Sequence, residues 1–447
     1  MAQGEARRYR QNGQNKLLPE DRPIHDWYRF VLSFPPHLVR EYLARFGLNA
    51  QHTVLDPFCG TGTTPVECKK QGIRSIGIEA NPVAHFASQV KTDWGVDVES
   101  LLGHAQMVAE ATDRRLSTEG IDTYSLSHLP LFQLEGPVQT VMRSLPDDKL
   151  DLLLNGSISP LPLHKTLVLM DTLNHYAIES LYNHELLALA RALVFSISNL
   201  EFGPEVGVGL PKQDAPVVQA WLSVVEAIVH DLRVFRHLNG TPSDIILGDA
   251  RGVLDLLEPT SIDAVITSPP YPNEKDYTRT TRLESVLLGF IQNKHDLRAL
   301  KQRLVRSNTR SVYVTDSDDR YVAENPEIQA LANAIEARRI ELGKTSGFER
   351  LYARVTKLYF GGMARHLADL RIVLRPGAQL AYVVGDQASY LQVLIRTGQL
   401  LADIAITLGY ELVSIDLFRT RLATATREQL REEVVVLRWP GFREARV

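Results

Sequence analysis

Cysteine is nearly absent: Cys59 and Cys68 are the two in 447 residues. That excludes a disulfide framework and fits a reducing compartment. No apolar run approaches the roughly 20 residues that cross a bilayer. The polar start, Met1 to Asn15, lacks the apolar core of a signal peptide. The reading is a cytoplasmic chain with no membrane partner. Charge of one sign is not in excess either, since 49 Lys and Arg against 53 Asp and Glu leave a net charge of −4. Any nucleic-acid contact must therefore come from local basic patches. There is no internal repeat or low-complexity tract. His164, His175 and His184 are scattered without paired ligands at metal spacing, so no metal is expected. What remains, 44% hydrophobic and 23% charged, is globular and long enough for roughly two to three domain-sized units.

The most informative stretch is Thr267-Ser268-Pro269-Pro270-Tyr271, which follows Ile262 to Ile266, a run that reads as a buried parallel strand. In an open α/β sheet the carboxyl edge is where ligands bind. Two prolines there leave carbonyls pointing outward as acceptors, because proline has no N–H and a fixed φ. A hydroxyl, rigid carbonyls and a flat ring suit a planar group that carries N–H donors. Upstream, Thr53-Val54-Leu55-Asp56 predicts a second buried strand. Pro57-Phe58-Cys59-Gly60-Thr61-Gly62 then forms a glycine loop, and a helix follows, capped by Thr63 or Thr64 and stopped at Gly72. Ser75 to Glu79 reads as the next strand, with its terminal acid placed to accept from ribose hydroxyls. The loop is neither a full Gly-x-Gly-x-x-Gly nor a Walker loop, which favours adenosine without a pyrophosphate.

Together, Asp56 to Gly62 and Ser268 to Tyr271 resemble the cofactor and catalytic motifs of the exocyclic-amino DNA methyltransferases, the N4-cytosine and N6-adenine enzymes of restriction-modification systems. Phe34-Pro35-Pro36 resembles their segment over the methionine end of the cofactor, and Gly248-Asp249-Ala250 their acidic motif near the adenine. The resemblance implies S-adenosyl-L-methionine held by Asp56, Pro57, Phe58, Gly60, Gly62, Thr63, Glu79, Asp249 and Phe34. It implies catalysis at Ser268, Pro269, Pro270 and Tyr271, double-stranded DNA as substrate and a cognate restriction endonuclease as partner. Serine at the first position of the catalytic motif is associated with N4-cytosine. Adenine N6, an RNA base, and a silent cofactor-binding subunit remain open. C5 methylation, which needs a thiolate at a strand end, has no cysteine placed for it.

The expected architecture is a Rossmann-like, doubly wound sheet with a large helical insertion, acting as a monomer or weak dimer. Residues 1–24 form a basic arm carrying Arg7, Arg8, Arg10 and Lys16. Residues 25–90 form the first half of the core, including a helix from Pro36 to Phe46. Residues 91–240 form a mostly helical subdomain with its own core and a possible role in DNA recognition. Residues 241–447 complete the core around a second insertion at 291–349. In that insertion Arg303, Arg306 and Arg310 can share a helix face and contact nucleic acid, the competing reading being a solvated surface. A long helix to Val373, a strand from Gln379 to Val384, a helix near Gly398 to Leu408 and two closing strands finish the chain.

Overall fold

The computed structural model describes residues 17–30, 33–121, 141–202, 205–273, 275–422 and 429–442. The four cations of the basic arm lie outside those residues. Among the described residues the strands are β1 (Thr53–Asp56), β2 (Arg74–Glu79), β3 (Leu200–Phe202), β4 (Val206–Val208), β5 (Ser243–Leu247), β6 (Ile262–Thr267), β7 (Leu374–Gly385), β8 (Glu411–Leu422) and β9 (Gln429–Arg438). β3 and β4 make a small antiparallel hairpin, and the other seven form one sheet in the order β5-β2-β1-β6-β7-β9-β8. Five strands are parallel, and β9 runs antiparallel between β7 and β8. The chain leaves β1 toward β2 and β5 and returns to start β6 on the other side of β1. The topological switch point therefore lies between the carboxyl ends of β1 and β6. The expected α/β architecture, a largely parallel sheet with helices on both faces, is present.

Strand alternation decides which helices cover which face. Val54, Ala264, Ile266, Ala381, Val383 and Val434 point to one side, where the helix Pro36–Arg45 buries Leu38, Val39, Tyr42 and Leu43. Leu55, Val265, Leu380, Tyr382 and Val435 point to the other, against the helices Tyr352–Val373 and Thr397–Thr407. A period of two along each strand is what a sheet covered on both faces requires. The expected stop at Leu374 to Gly377 behaves differently. Leu374 ends the helix and already pairs with Ile262, and the register to β6 then shifts, so that Ala264 faces Gln379. Pro376 and Gly377, the latter at φ +91°, occupy that irregularity rather than a separate turn.

The insertion is built from the helices Val98–Thr118, Pro160–His175, Glu179–Ala192 and Val217–Phe235, with the β3–β4 hairpin. It does not have its own core. Leu101, Leu187 and Trp221 belong to one apolar cluster with Val66, Val83, Phe86 and Val90 of the two helices that follow β1 and β2. Ile24, Trp27 and Tyr28 join the same cluster, and Ile24 N and Trp27 Nε1 both donate to Asp231, at 2.7 and 2.9 Å. The helical residues that repeat with apolar periodicity bury against the sheet's own helices, so the division at residue 91 is not a boundary of packing. His164 is buried beside Glu119, and His184 Nε2 donates to the Asp93 carbonyl. No cluster suited to a metal occurs among the described residues, and no helix among them is long and apolar enough to cross a membrane.

The second insertion corrects the arginine reading. Its helix Lys294–Arg303 ends at Arg303, so Arg306 and Arg310 are not on its face. Arg306 is 3% exposed, and all five of its N–H groups are committed. It holds Asp316 through two bonds of 2.8 Å and donates to the carbonyls of Lys301, Gln302 and Leu304. It cannot reach a phosphate from there. Farther on, Gly361 lies inside the helix Tyr352–Val373, where an added Cβ would stand 2.0 Å from the Asp318 carbonyl oxygen. Gly361→Ala is expected to destabilise the fold by about 1–3 kcal/mol, because backbone sits on both sides of the contact. Arg306→Ala, which strands a buried carboxylate, should cost about 3–5 kcal/mol, and Arg310→Ala no more than about 0.5 kcal/mol. Urea unfolding checks all three, and equal losses for the two arginine variants would contradict the buried role of Arg306.

Candidate active site

The switch point carries a cavity of about 470 Å³, in the range of small-molecule sites. The glycine loop closes one end. Gly62 takes the left-handed conformation, φ +84°, and serves as the helix N-cap in place of the expected threonines. Its missing side chain also admits Ser88, whose Oγ would be 2.5 Å from a Cβ. Thr64 Oγ1 donates instead to the Ile266 carbonyl at 3.1 Å, tying the helix to β6. Gly60, at φ +53°, leaves open space apart from Phe30 at 4.0 Å. Glu79, at the end of β2, accepts from Gly60 N at 2.8 Å and from Asn81 N at 2.7 Å. Each carboxylate oxygen keeps a second lone pair for a ligand. Burial pushes Glu79 up to about 7.

Of the expected cofactor residues, Phe34, Pro57, Phe58, Gly60, Thr63, Glu79 and Asp249 line the cavity. Asp56 and Gly62 do not. Asp56 is fully buried beneath the loop, where Thr267 Oγ1 donates to it at 2.6 Å and Phe58 N at 3.2 Å. Burial raises it to about 6. Asp249 is engaged by Arg251, whose Nε and Nη2 reach its two oxygens, while Arg251 Nη1 donates to Asp318 at 2.5 Å. His366, unremarked in the sequence because it falls in an apolar helical run, backs the same wall. Its Nδ1 donates to the Ala250 carbonyl and its Nε2 accepts from Tyr382, both at 2.7 Å. Burial lowers it to about 4 and keeps it neutral, and its ring packs edge-on to Phe58 at 5.0 Å.

Ser268, Pro269, Pro270 and Tyr271 line the other end. Ser268 Oγ donates to the Val383 carbonyl at 3.2 Å. The Tyr271 ring lies against Gly385, where a Cβ would come within 2.9 Å of it. Tyr277, which faces the same cavity, is held up to about 12 by burial. Several polar residues that no motif announced line this end, among them Lys275, Arg421 and Glu205. Lys275 Nζ has no ion-pair partner among the described residues, and burial lowers it from the ordinary lysine value. Glu205 adjoins β4, so the large insertion reaches the cavity. Arg303 also lines the cavity, whereas Arg306 and Arg310 do not. Cys59 and Cys68 are buried with thiols raised by desolvation, and Cys59 packs against Gly77.

A family model described as a DNA methylase, N6_N4_Mtase, matches residues 6–89. The chain is 25% identical to the Type II methyltransferase M.BsoBI of Geobacillus stearothermophilus over 443 residues, covering 94% of this chain and 85% of that one. It is 23% identical to the Type II methyltransferase M.AvaI of Nostoc over 438 residues, covering 94% and 87%. A shorter match, 38% over 68 residues, is to the Type II methyltransferase M.MjaII of Methanocaldococcus jannaschii and covers 15% of this chain and 13% of that one. The long alignments run through the helical insertion as well as the sheet. Along nearly its whole length the chain is therefore similar to Type II DNA methyltransferases, and in its first part to the N6/N4 DNA methylases, enzymes that draw their methyl group from S-adenosyl-L-methionine.

Proposed function

We propose that the protein methylates the exocyclic N4 of cytosine in duplex DNA after the base has turned out of the helix into the cavity. The observation that carries the reading is the Ser268 hydroxyl. Its one hydrogen is donated to Val383 O, so what it offers the cavity is lone pairs. An amino group conjugated to a ring is a poor nucleophile because its lone pair is delocalised. Ser268 Oγ and the Pro269 carbonyl, each accepting one amino hydrogen, hold that nitrogen for pyramidalisation. Positive charge develops there as the new bond forms, and fixed acceptors stabilise it. Tyr271, braced by Gly385, supplies the face on which the ring stacks. Lys275 supports cytosine over adenine, because the Watson–Crick edge of cytosine carries two acceptors, N3 and O2, beside the amino group, whereas that of adenine carries N1 and then a C–H.

The cofactor, when bound, supplies a methyl sulfonium electrophile. The residues that would hold it are Glu79 for the ribose hydroxyls, Phe58 and Asp249 for the adenine, Gly60 and Thr63 along the loop, and Phe34 over the methionine end. Ionised Glu79 accepts more strongly than the protonated acid, so ligand binding favours loss of its proton. Affinity for S-adenosylhomocysteine is accordingly expected to rise with pH through about 7 and to level off above. A shift of one pKa unit on binding corresponds to about tenfold in affinity. Titration calorimetry from pH 6 to 8 reads the effect, and Glu79→Gln should flatten it; an unchanged slope in that variant would remove Glu79 from the ribose.

Ser268→Ala should lower the turnover number by about 10²-fold or more while leaving S-adenosylhomocysteine affinity unchanged. Near-wild-type turnover would refute the acceptor role. The product decides the substrate. Duplex DNA of varied sequence, incubated with isotopically labelled cofactor and digested to nucleosides, should carry label on N4-methyldeoxycytidine by mass spectrometry. Label on N6-methyldeoxyadenosine would assign the sister specificity. Label confined to a parallel RNA sample would overturn the DNA substrate, and none in any polymer would mark a silent subunit.

A further inference from the structure

Val314 is the most exposed large apolar side chain among the described residues, at 93%. A lone surface valine carries little meaning; its mounting does. Residues 313–316 form a turn in which Asp316 N donates to the Tyr313 carbonyl at 3.1 Å and Tyr313 N to Asp316 Oδ2 at 2.7 Å. The buried Arg306 holds both oxygens of Asp316. Arg354 Nη2 lies between 3.1 and 3.3 Å from the carbonyls of Tyr313, Val314 and Asp316. The Tyr313 ring is covered by the guanidinium groups of Arg298 and Arg306, at 5.2 and 5.7 Å. Four arginine and aspartate side chains thus fix the backbone of a turn whose tip is a hydrophobe in water.

The turn also stands beside the catalytic end of the cavity. Ser307, Asn308 and Ser311 line that cavity, and the turn begins two residues after Ser311. Asn308 Nδ2 donates to the carbonyl of Lys275 at 3.1 Å, joining this segment to the loop that follows Tyr271. Arg303, on the cavity wall, and Arg310 make no side-chain hydrogen bond or ion pair among the described residues, and both are exposed. The arrangement is a rigid apolar point on the segment that leaves the wall of a base-sized pocket, with two exposed arginines on the same segment.

We propose that Val314 is a wedge that enters the base stack of duplex DNA as the target base turns into the cavity, filling the space that the base vacates. Turning a base out costs a few kcal/mol of stacking and pairing, and apolar side chains inserted between base steps are a general means of stabilising the disrupted helix. A wedge has to be stiff, since a side chain on a yielding loop would retreat instead of parting the bases. The brace of Arg306, Asp316 and Arg354 meets that requirement. Arg310 and Arg303 are placed to steady the phosphates on either side.

The proposal rests on the duplex-DNA reading above. The test compares single-turnover methylation of two oligonucleotide duplexes that carry the sequence modified by the wild-type enzyme. In one the target base is paired, and in the other it lies opposite an abasic site, so that no pair has to be broken. Val314→Ala is expected to slow the paired duplex by about tenfold and the abasic duplex by no more than about twofold, with Val314→Ile restoring the paired rate. Unchanged affinity for S-adenosylhomocysteine shows that the variants are folded. An undiminished rate on the paired duplex would overturn the wedge alone, as would equal losses on both duplexes, which would mark a merely structural side chain. A wild-type enzyme inert on every DNA would overturn the functional reading and the wedge with it.

Discussion

The site depends on one hydrogen bond between two strands. Thr267, the last residue of β6, donates to Asp56, the last residue of β1, at 2.6 Å in a fully buried position. The strands are adjacent and parallel, so this bond joins the start of the glycine loop to the start of the Ser-Pro-Pro-Tyr segment. Thr64 to Ile266 O adds a second tie between the same parts. Transfer between two bound groups is sensitive to their relative placement at the level of an ångström. A loop and a motif fastened to each other beneath the cavity floor, rather than through the ligands, hold that placement before either ligand arrives.

Burial sets the charge of this floor. It raises Asp56 to about 6 and Glu79 and Glu284 to about 7, and it lowers Lys91 to about 7. Lys91 Nζ donates to the carbonyls of Thr61 and Tyr28, at 2.6 and 3.1 Å. Tyr28 in turn donates to Glu284. The N-terminal segment, the glycine loop and the helix after the catalytic motif are thus stitched together by groups whose charges are all weakened by desolvation. A weakly charged floor leaves Glu79, at the cavity wall, as the group whose ionisation a ligand can influence.

The large insertion and the second insertion are parts of the same body. The first shares an apolar cluster with the helices after β1 and β2 and places Glu205 at the cavity. The second is anchored by Arg251, which spans Asp249, Asp318 and the Gln302 carbonyl, and by the close approach of Gly361 to Asp318. Asp249 at the cavity wall is therefore one residue, Arg251, away from the second insertion, which supplies Ser307, Asn308 and Ser311 to the same cavity. Both insertions thus line the cavity and are fixed to the sheet by packing and ion pairs.

The sequence by itself determined the sheet and the two motifs, because their signals are local. Buried parallel strands read as short apolar runs, glycines mark the tight loop, and two prolines with an aromatic ring mark a strand end. Those features stay legible in any context that lets the strands pair. Only the tertiary structure decided which residues face the cavity. Asp56 and Gly62 belong to the motif and yet serve beneath it, since one pairs with a residue 211 positions later and the other makes room for Ser88. Arg306 was indistinguishable from Arg303 and Arg310 in a basic run, and its burial follows from Asp316 and three carbonyls that close around it. Lys275, His366, Gly385 and Val314 had no sequence signal at all. Their positions arise from contacts between distant segments, and no local pattern encodes a contact that exists only once the chain has folded.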